Sequence, residues 1–245
     1  MNNYFIPLNQ ARIAIIDGRA DKEIVTNLEK NNITVIKSIE CKEIDSNISY
    51  HPDMVMHPIS YDTLLIAPNV YEYYNHILSP LGIRVIKGET ELEKKYPYDI
   101  AYNVARLKDI AIHNFKYTDE VLKFHLKKQN LELLDVKQGY SKCSLAIIDE
   151  ASGITSDKYM YKKLTEKGYE VLLIESGYIK LEGYNYGFIG GTCGNFSKNK
   201  ILFSGKFNNH PDYKRISSFI KSRNKNITML SKDGIIDIGT IITLS

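Results

Sequence analysis

The chain has 245 residues, of which 43% are hydrophobic and 25% are charged, a balance typical of a globular protein with an apolar core. No run of residues approaches the roughly 18 apolar positions of a membrane span, and the opening MNNYFIPLNQ lacks the basic-then-apolar order of a signal peptide. The 32 Lys and Arg against 29 Asp and Glu are scattered along the chain, which argues against nucleic-acid binding. We therefore expect a cytoplasmic protein that binds neither nucleic acid nor membranes.

The cysteines and histidines give no metal-binding pattern. Cys41, Cys143 and Cys193 are an odd number, without C-x-x-C or Cys/His ligand spacing. Four histidines have no ligand partner three or four positions away, namely His76, His113, His125 and His210. The pattern disfavours a disulfide framework and a zinc site, and we expect neither a metal nor an organic cofactor.

Five segments of the chain share one order of elements, a short β-like run, an amphipathic helix and a second apolar run. The first runs are RIAIID, TLLIAP, DIAIHN, SGITSD and KILFSG, starting at 12, 63, 109, 152 and 200. The pattern predicts helices over 20–30, 70–80, 118–129, 157–167 and 210–223. A residue suited to a left-handed stop follows each helix: Asn32, Gly82, Asn130, Gly168 and Asn226.

Four of the five units carry an additional leading strand, predicted at 51–59, 98–107, 143–150 and 186–196. The first unit has none, whereas the chain ends in a surplus strand at 235–244 that can pair with 12–17. Such pairing would close a ring and remove an open sheet edge. We predict one domain over 1–245, with modules at about 1–48 plus 234–245, 49–95, 96–140, 141–185 and 186–233.

An ordinary α/β domain with a nucleotide site is the alternative architecture. Such a site places a G-x-G-x-x-G or Walker sequence between a strand and the helix that follows it. The glycine-rich string GGTCG at 190–194 is instead followed by more predicted strand. The sequence therefore favours the ring of modules.

Five ββαβ modules closed by the C-terminal strand resemble the pentein, or α/β-propeller, fold of the guanidino-group-modifying enzymes. This group includes arginine and agmatine deiminases, dimethylargininase and the amidinotransferases. PDMV at 52–55 is similar to the strand that opens the second module of dimethylargininases, and the run from HPDMVMHPI to DIGTIITL resembles an uncharacterised family of this fold. The resemblance implies a central channel in which carboxylates bind a guanidinium group and a cysteine attacks its central carbon.

His51 and Asp53 form an H-x-D pair on a predicted strand, so both side chains would face the same side and the carboxylate could orient the imidazole. The pair resembles the H-x-D of deiminases, where it belongs to the fourth module rather than the second. The family supplies a carboxylate alone at this place, which makes Asp53 the better match. A strand-start turn that caps backbone donors is the structural alternative.

Three further polar positions lie on predicted leading or closing strands. Asn103 holds the corresponding place in the third module and could contact a polar ligand. Cys143 opens the fourth leading strand, where the family places its histidine, and it either faces the channel or fills the core. Asp237 is an acidic residue near the start of the closing strand.

Gly190 and Gly191 precede Cys193 in GGTCG, a string similar to the glycine-rich approach to the catalytic cysteine in deiminases. Paired glycines let the backbone approach a ligand closely. The family nucleophile, however, lies on the closing strand, where this sequence has Ile242 or Thr243. Cys193 is therefore a candidate nucleophile, and a kink at the propeller centre, with the cysteine filling space, is its structural alternative.

These residues predict either of two functions. The first is a cysteine-dependent hydrolase or amidinotransferase acting on guanidine or amidine compounds, with Cys193, His51 and Asp53 catalytic. Cys143 is an alternative nucleophile, and the candidate substrate-binding residues are Asn103, Cys143, Gly190, Gly191 and Asp237. The second is a non-catalytic pentein, a pseudoenzyme, that binds a small polar or cationic ligand or a macromolecular partner.

Overall fold

The computed structural model describes residues 2–245. Within this range fifteen strands form five sheets of three strands each. The strands are β1 (Ile13–Ile16), β2 (Thr34–Lys37), β3 (Met56–Pro58), β4 (Thr63–Ile66), β5 (Arg84–Lys87), β6 (Ala105–Leu107), β7 (Ile110–His113), β8 (Glu132–Asp135), β9 (Leu145–Ile147), β10 (Ser152–Thr155), β11 (Glu170–Leu173), β12 (Cys193–Ser197), β13 (Lys200–Phe203), β14 (Asn226–Met229) and β15 (Ile242–Leu244). The helices are α1 (Lys22–Glu29), α2 (Pro52–Val55), α3 (Tyr71–Leu78), α4 (Glu120–Lys128), α5 (Ser141–Ser144), α6 (Lys158–Glu166) and α7 (Tyr213–Ser222).

All five sheets have the same topology. The middle strand pairs antiparallel with one neighbour and parallel with the other, as in the sheet of β3, β4 and β5. A helix connects each pair of parallel strands, which is the usual crossover for such a pair. The first sheet takes β15 as its antiparallel strand, with Leu244 opposite Ile13. The predicted five-module architecture and its closure by the C-terminal strand are confirmed.

The helices and their stops follow the sequence pattern closely. Asn32, Gly82, Asn130 and Gly168 all have the predicted left-handed backbone. The fifth prediction was wrong by two residues. The chain turns at Asn224, which has a φ of 55°, and Asn226 begins β14. The sequence alone does not distinguish Asn224 from Asn226 as the helix stop, since asparagine tolerates positive φ better than most residues.

The leading strands are much shorter than predicted because the chain enters three of them through a helical turn. These turns are α2, α5 and a 3-10 turn at Ile189–Thr192. Pro52 occupies the first turn of α2, where its fixed φ favours a helix start. His51 and Asp53 therefore lie at a helix start and not on one face of a strand, so the argument from strand alternation was wrong.

The core lies between each sheet and its helix and between neighbouring sheets. Residues four positions apart bury one face of a helix, as with Leu122 and Leu126 in α4 or Ile216 and Ile220 in α7. The middle strands β1, β4, β7 and β10 are buried along their whole length, which explains why they read as short, predominantly apolar runs. Among residues 2–245, no helix is long and apolar enough to cross a membrane.

The closing strand should contribute strongly to stability. Ile242 on β15 is 1% exposed and packs in a core cluster that includes residues of the second sheet. We expect Ile242→Ala to lower the free energy of unfolding by about 2–4 kcal/mol, because it leaves a cavity where the ring closes. Urea unfolding of the variant and the parent protein measures this loss.

The matched control is Ile227→Ala on β14, whose side chain is only partly buried. We expect a clearly smaller loss there, because less apolar surface leaves water on folding. Equal losses for the two variants would contradict the assignment of closure to β15.

Candidate functional site

The segments that precede the leading strands meet in a ring of hydrogen bonds, here called the central ring. It contains Asp53, Asn103, Lys142, the pair Gly190 and Gly191, and the pair Gly239 and Thr240. The five junctions are Asp53 N to Gly239 O at 3.2 Å, Asn103 Nδ2 to Asp53 O at 3.1 Å, Lys142 N to Asn103 Oδ1 at 2.8 Å, Lys142 Nζ to Gly190 O at 3.1 Å, and Thr240 N to Gly191 O at 2.8 Å. Each module is thus bonded to the next around the centre.

A cleft with two lobes opens at this centre, and both lobes are lined by His51, Leu181 and Asp237. The aromatic lobe has a volume of about 290 Å³, and its further lining residues are Ile48, Met54, Tyr140, Cys143, Tyr184, Asn185, Tyr186 and Phe188. The acidic lobe has a volume of about 210 Å³, and its further lining residues are Asp17, Arg19, Ala20, Asp21, Ile24, Asn47, Glu182, Ile236 and Ile238. His51 and Asp237 lie where the lobes meet.

His51 lies between two buried carboxylates. Its Nε2 is 3.7 Å from Asp17 Oδ2 and its Nδ1 is 3.9 Å from Asp237 Oδ1. Gly239 packs its backbone against the ring, and a Cβ there would lie 2.2 Å from the His51 Cβ. The φ of Gly239 is also positive, at 62°, so glycine is required for two reasons.

Asp17 is a site residue that the sequence analysis missed. It follows β1 and binds the Arg19 guanidinium, accepting from Nε at 3.1 Å and from Nη2 at 2.8 Å. Its position after a strand that is paired in parallel was a usable signal, because side chains beyond the carboxyl ends of such strands commonly form binding sites.

Asp53 receives hydrogen bonds from two side chains on one oxygen. Its Oδ2 accepts from the Thr240 hydroxyl at 2.6 Å and from the Cys143 thiol at 3.1 Å. In the described chain the other oxygen, Oδ1, is buried without a hydrogen-bond partner. Lys142 is linked to this carboxylate through Thr240, since its Nζ donates to the same hydroxyl at 2.9 Å. Asp53 therefore joins the ring to the cleft wall formed by Cys143.

Thr240 was also missed, and it occupies the place on the closing segment that faces the site. Its φ is 75°, a left-handed conformation that is costly for a β-branched residue. The expected positions, Ile242 and Thr243, lie farther along in β15. The Thr243 hydroxyl donates to Asn195 O at 2.6 Å, and Ile242 packs in the core.

Cys143 lines the aromatic lobe and is 4% exposed. Burial raises the pKa of its thiol well above the usual range, and the negative charges of Asp53 and Asp237 raise it further. The thiol is therefore protonated at neutral pH in the unliganded protein. Asp237 is likewise shifted, because burial raises the pKa of its carboxyl.

The structure does not bring Cys193 together with His51 and Asp53. Its sulfur lies 4.0 Å from Gly190 O, packs in an apolar cluster and borders a separate void of about 10 Å³. Burial raises the pKa of this thiol to about 11. Cys193 has the surroundings of a core residue, whereas Cys143 is the cysteine that lines the cleft.

The remaining predicted site residues serve mainly as framework. The Asn103 amide accepts from two backbone N–H groups and donates to Asp53 O and to the Cys143 sulfur at 3.2 Å. A Cβ on Gly191 would lie 1.9 Å from Asp237 Oδ1, and one on Gly190 would lie 2.3 Å from Lys142 O. The lack of a side chain at Gly190 and Gly191 therefore lets Lys142 and Asp237 lie close to the backbone of these glycines.

One irregular segment, 177–188, supplies much of the aromatic lobe and was not recognised in the sequence. Phe188 N donates to Asp237 Oδ2 at 2.8 Å, so the aromatic wall and the carboxylate are directly connected. Across the lobe the Tyr140 hydroxyl donates to Asp99 Oδ2 at 2.6 Å. No group of three or more His, Cys, Asp or Glu side chains within 2–245 is arranged to hold a metal ion.

Comparison with known proteins places this geometry in context. A family model described as "Family of unknown function (DUF6873)" matches residues 15–242. The chain belongs to this family. No curated protein matches it by sequence. The matched residues include the whole central ring, four complete sheets and part of the first sheet.

Solved structures identify the fold. An agmatine deiminase from C. jejuni with substrate bound is similar over 98% of this chain and 95% of its own, with a TM-score of 0.58 and 10% identity. The inosamine-phosphate amidinotransferase from Streptomyces griseus covers 91% and 89%, with a TM-score of 0.56 and 10% identity. An amidinotransferase of the saxitoxin pathway from Microseira wollei covers 91% and 89%, with a TM-score of 0.52 and 8% identity. This DUF6873 protein has the pentein fold.

The buried carboxylate Asp99, which is bonded to Tyr140 of the aromatic lobe, gives a test of the electrostatics near the site. Burial raises the pKa of Asp99, so the folded protein binds its proton more tightly than the unfolded chain does. The stability that this proton provides at low pH is lost as the pH rises through the folded pKa. Asp99→Asn should therefore gain stability relative to the parent protein between about pH 4 and about pH 7, as measured by thermal unfolding.

The exposed Asp62 is the matched control with the opposite sign. Hydrogen bonds from Ser60 and Thr63 lower the pKa of Asp62, so its contribution is present at high pH and is lost as the pH falls. Asp62→Asn should lose stability relative to the parent as the pH rises from about 2 to about 5, and it should change little above that range. Parallel profiles for the two variants would refute the assignment.

Proposed function

We propose that this protein binds a small organic cation of the guanidinium or amidinium class in the central cleft. The observation that carries the proposal is a pair of buried carboxylates at the cleft. Asp237 lines both lobes, and Asp53 is bonded to the Cys143 thiol and has an Oδ1 without a hydrogen-bond partner in the described chain. A buried charge is costly unless it is paired and hydrogen-bonded. A ligand that brings positive charge and N–H donors supplies both.

The neighbouring groups fit the same ligand. Asp237 is buried and lines both lobes, the aromatic one together with Cys143. Its oxygens accept from the backbone at Gly239 and Phe188, at 3.0 and 2.8 Å, so its charge is held in place at the cleft. A planar guanidinium binds carboxylates through parallel N–H bonds. Aromatic faces near the carboxylates favour a cation further.

The fold agrees with this class of ligand without fixing it. Amidinotransferases and an agmatine deiminase share the pentein fold with this chain, at identities that support likeness of fold alone. The proposal therefore rests on the carboxylates of this chain.

Methylguanidine and methylurea have a similar planar shape, but only methylguanidine is positively charged. Comparing them therefore tests whether the cleft recognises the charge. We expect methylguanidine to raise the midpoint of thermal unfolding and methylurea to leave it unchanged. A ligand at a hundred times its dissociation constant stabilises the folded state by about 2.7 kcal/mol. Equal effects of the two compounds, or no effect of either, would contradict the proposal.

Asp53→Asn is the sharpest variant for this test, because the amide oxygen can still accept from Thr240 and Cys143 while the negative charge is removed. We expect the methylguanidine effect to fall by at least about tenfold in affinity, as for the loss of a charge-assisted hydrogen bond. Asp62→Asn removes an exposed carboxylate that does not line the cleft, and it should bind like the parent protein.

Covalent chemistry at Cys143 is a second candidate function. It is favoured by one observation, that the thiol and His51 line the same aromatic lobe. A bound cation would lower the thiol pKa by its charge. The sulfur would then bond to the amidinium carbon, the thiol proton would pass to His51, and the leaving amine would take it. Water would hydrolyse the sulfur–carbon bond and restore the thiol.

Chloroacetamidine and the neutral chloroacetamide test this second function. We expect the cationic reagent to alkylate Cys143 faster, by at least about tenfold, because its charge is attracted to the cleft. Peptide mapping and intact mass identify the site. Cys143→Ser should abolish the rapid labelling and Cys193→Ser should retain it. Equal rates for the two reagents, or labelling of Cys193, would exclude an activated thiol at Cys143.

A further inference from the structure

The walls of the aromatic lobe differ in chemistry from its acidic end. Tyr140, Tyr184, Tyr186 and Phe188 line it together with the aliphatic Ile48, Met54 and Leu181. The Tyr140 and Phe188 ring centroids are 6.4 Å apart with planes tilted by 33°, and those of Tyr186 and Phe188 are 6.4 Å apart and nearly perpendicular. A lobe of this kind favours an apolar or aromatic body, since such faces bind other rings and exclude water.

Two tyrosines of the aromatic lobe are also exposed to solvent. Tyr184 is 45% exposed and Tyr186 is 41% exposed, yet both line the lobe. Their faces are therefore available to a ligand that enters from solvent. Contact with such a ligand would remove apolar surface from water and so strengthen binding.

The charges around the aromatic lobe are negative. Asp99 is bonded to Tyr140, and the negative charges of Asp45 and Asp99 raise the pKa of Tyr184 after the larger effect of burial. Among the described residues that line this lobe, none is Lys or Arg. A carboxylate on the ligand would therefore meet repulsion and find no cationic partner here.

The arginine of the acidic lobe does not change this conclusion. Arg19 lines the acidic lobe, and its guanidinium donates to Asp17 and to the carbonyl oxygens of Ser46 and Asn47, each at 2.9 Å or less from Nη1 or Nη2. These bonds fix Arg19 as a partner of Asp17. A ligand carboxylate would have to displace them.

We propose that the ligand joins a planar cationic head to an aromatic or apolar body and carries no carboxylate. This inference rests on the proposed binding of a cation and adds the nature of the rest of the molecule. The head lies beside Asp237, His51 and Cys143, and the body lies against Tyr186 and Phe188. A free amino acid with a guanidino side chain is consequently a poor ligand.

Binding constants for a small set of guanidines test the inference by titration calorimetry. The probes are phenethylguanidine, arginine amide, arginine and methylguanidine. We expect phenethylguanidine to bind more tightly than arginine by at least about tenfold, because it buries a ring and has no carboxylate. Arginine amide should bind more tightly than arginine, since it lacks only the repelled charge.

Tyr186→Ala locates the body of the ligand. It should weaken phenethylguanidine by about tenfold, as for the loss of one aromatic contact, and leave methylguanidine unchanged, since the head does not reach this ring. Tyr178→Ala is the matched control, because Tyr178 is an exposed tyrosine of the same segment that does not line the lobe. Its affinities should equal those of the parent protein.

The outcomes distinguish the two proposals. Binding of arginine as tight as that of phenethylguanidine, with methylguanidine still bound, overturns the present inference and leaves the cation site intact. Binding of the neutral phenethylurea as tight as that of phenethylguanidine overturns the cation site itself. Loss of methylguanidine binding in Tyr186→Ala would place the head at Tyr186 and would also overturn the arrangement proposed here.

Discussion

The structure depends on the central ring, in which every module donates to or accepts from the next beside the axis. A buried backbone group must find a partner, and here the partners come from the neighbouring module rather than from the same sheet. Asn103 shows the principle, because one amide side chain bonds to segments of two other modules. The ring sets where the leading strands begin, and it thereby fixes Cys143, which lines the cleft, and Asp53, which accepts a hydrogen bond from the Cys143 thiol.

The same arrangement concentrates unfavourable electrostatics at the centre. Asp53 and Asp237 are buried near one another, and each raises the pKa of the Cys143 thiol. Such a cluster does not serve stability in the unliganded protein, since like charges in a low-dielectric interior repel. Strained or electrostatically unfavourable groups are often found where a protein binds its ligand. A bound cation would neutralise the negative charge of Asp53 and Asp237, and it would also favour the thiolate form of Cys143. Binding of the cation and reactivity of the thiol would thus be coupled.

The sequence predicted the repeated order, the helices and the ring closure, because periodicity and left-handed stops are local properties of the chain. It did not predict α2 or α5, since HPDMV and SKCS are equally compatible with a strand start when only local pattern is considered. It also selected Cys193 on the strength of GGTCG, whereas those glycines are required by the close approach of Asp237 and Lys142. Thr240 was not predicted either, because its role arises from contacts with Asp53 and Lys142, which lie 187 and 98 positions away in the chain.

The segment 177–188 has a consequence for how this family can diversify. It supplies five of the eleven residues that line the aromatic lobe, and it connects to the framework chiefly through backbone bonds at Lys180 and Phe188. The side chains of Tyr184 and Tyr186 are therefore not part of the central ring. Substitution within a single stretch of chain can change which ligand body is accepted while the charged centre is inherited unaltered. Divergence of specificity among family members should be concentrated there.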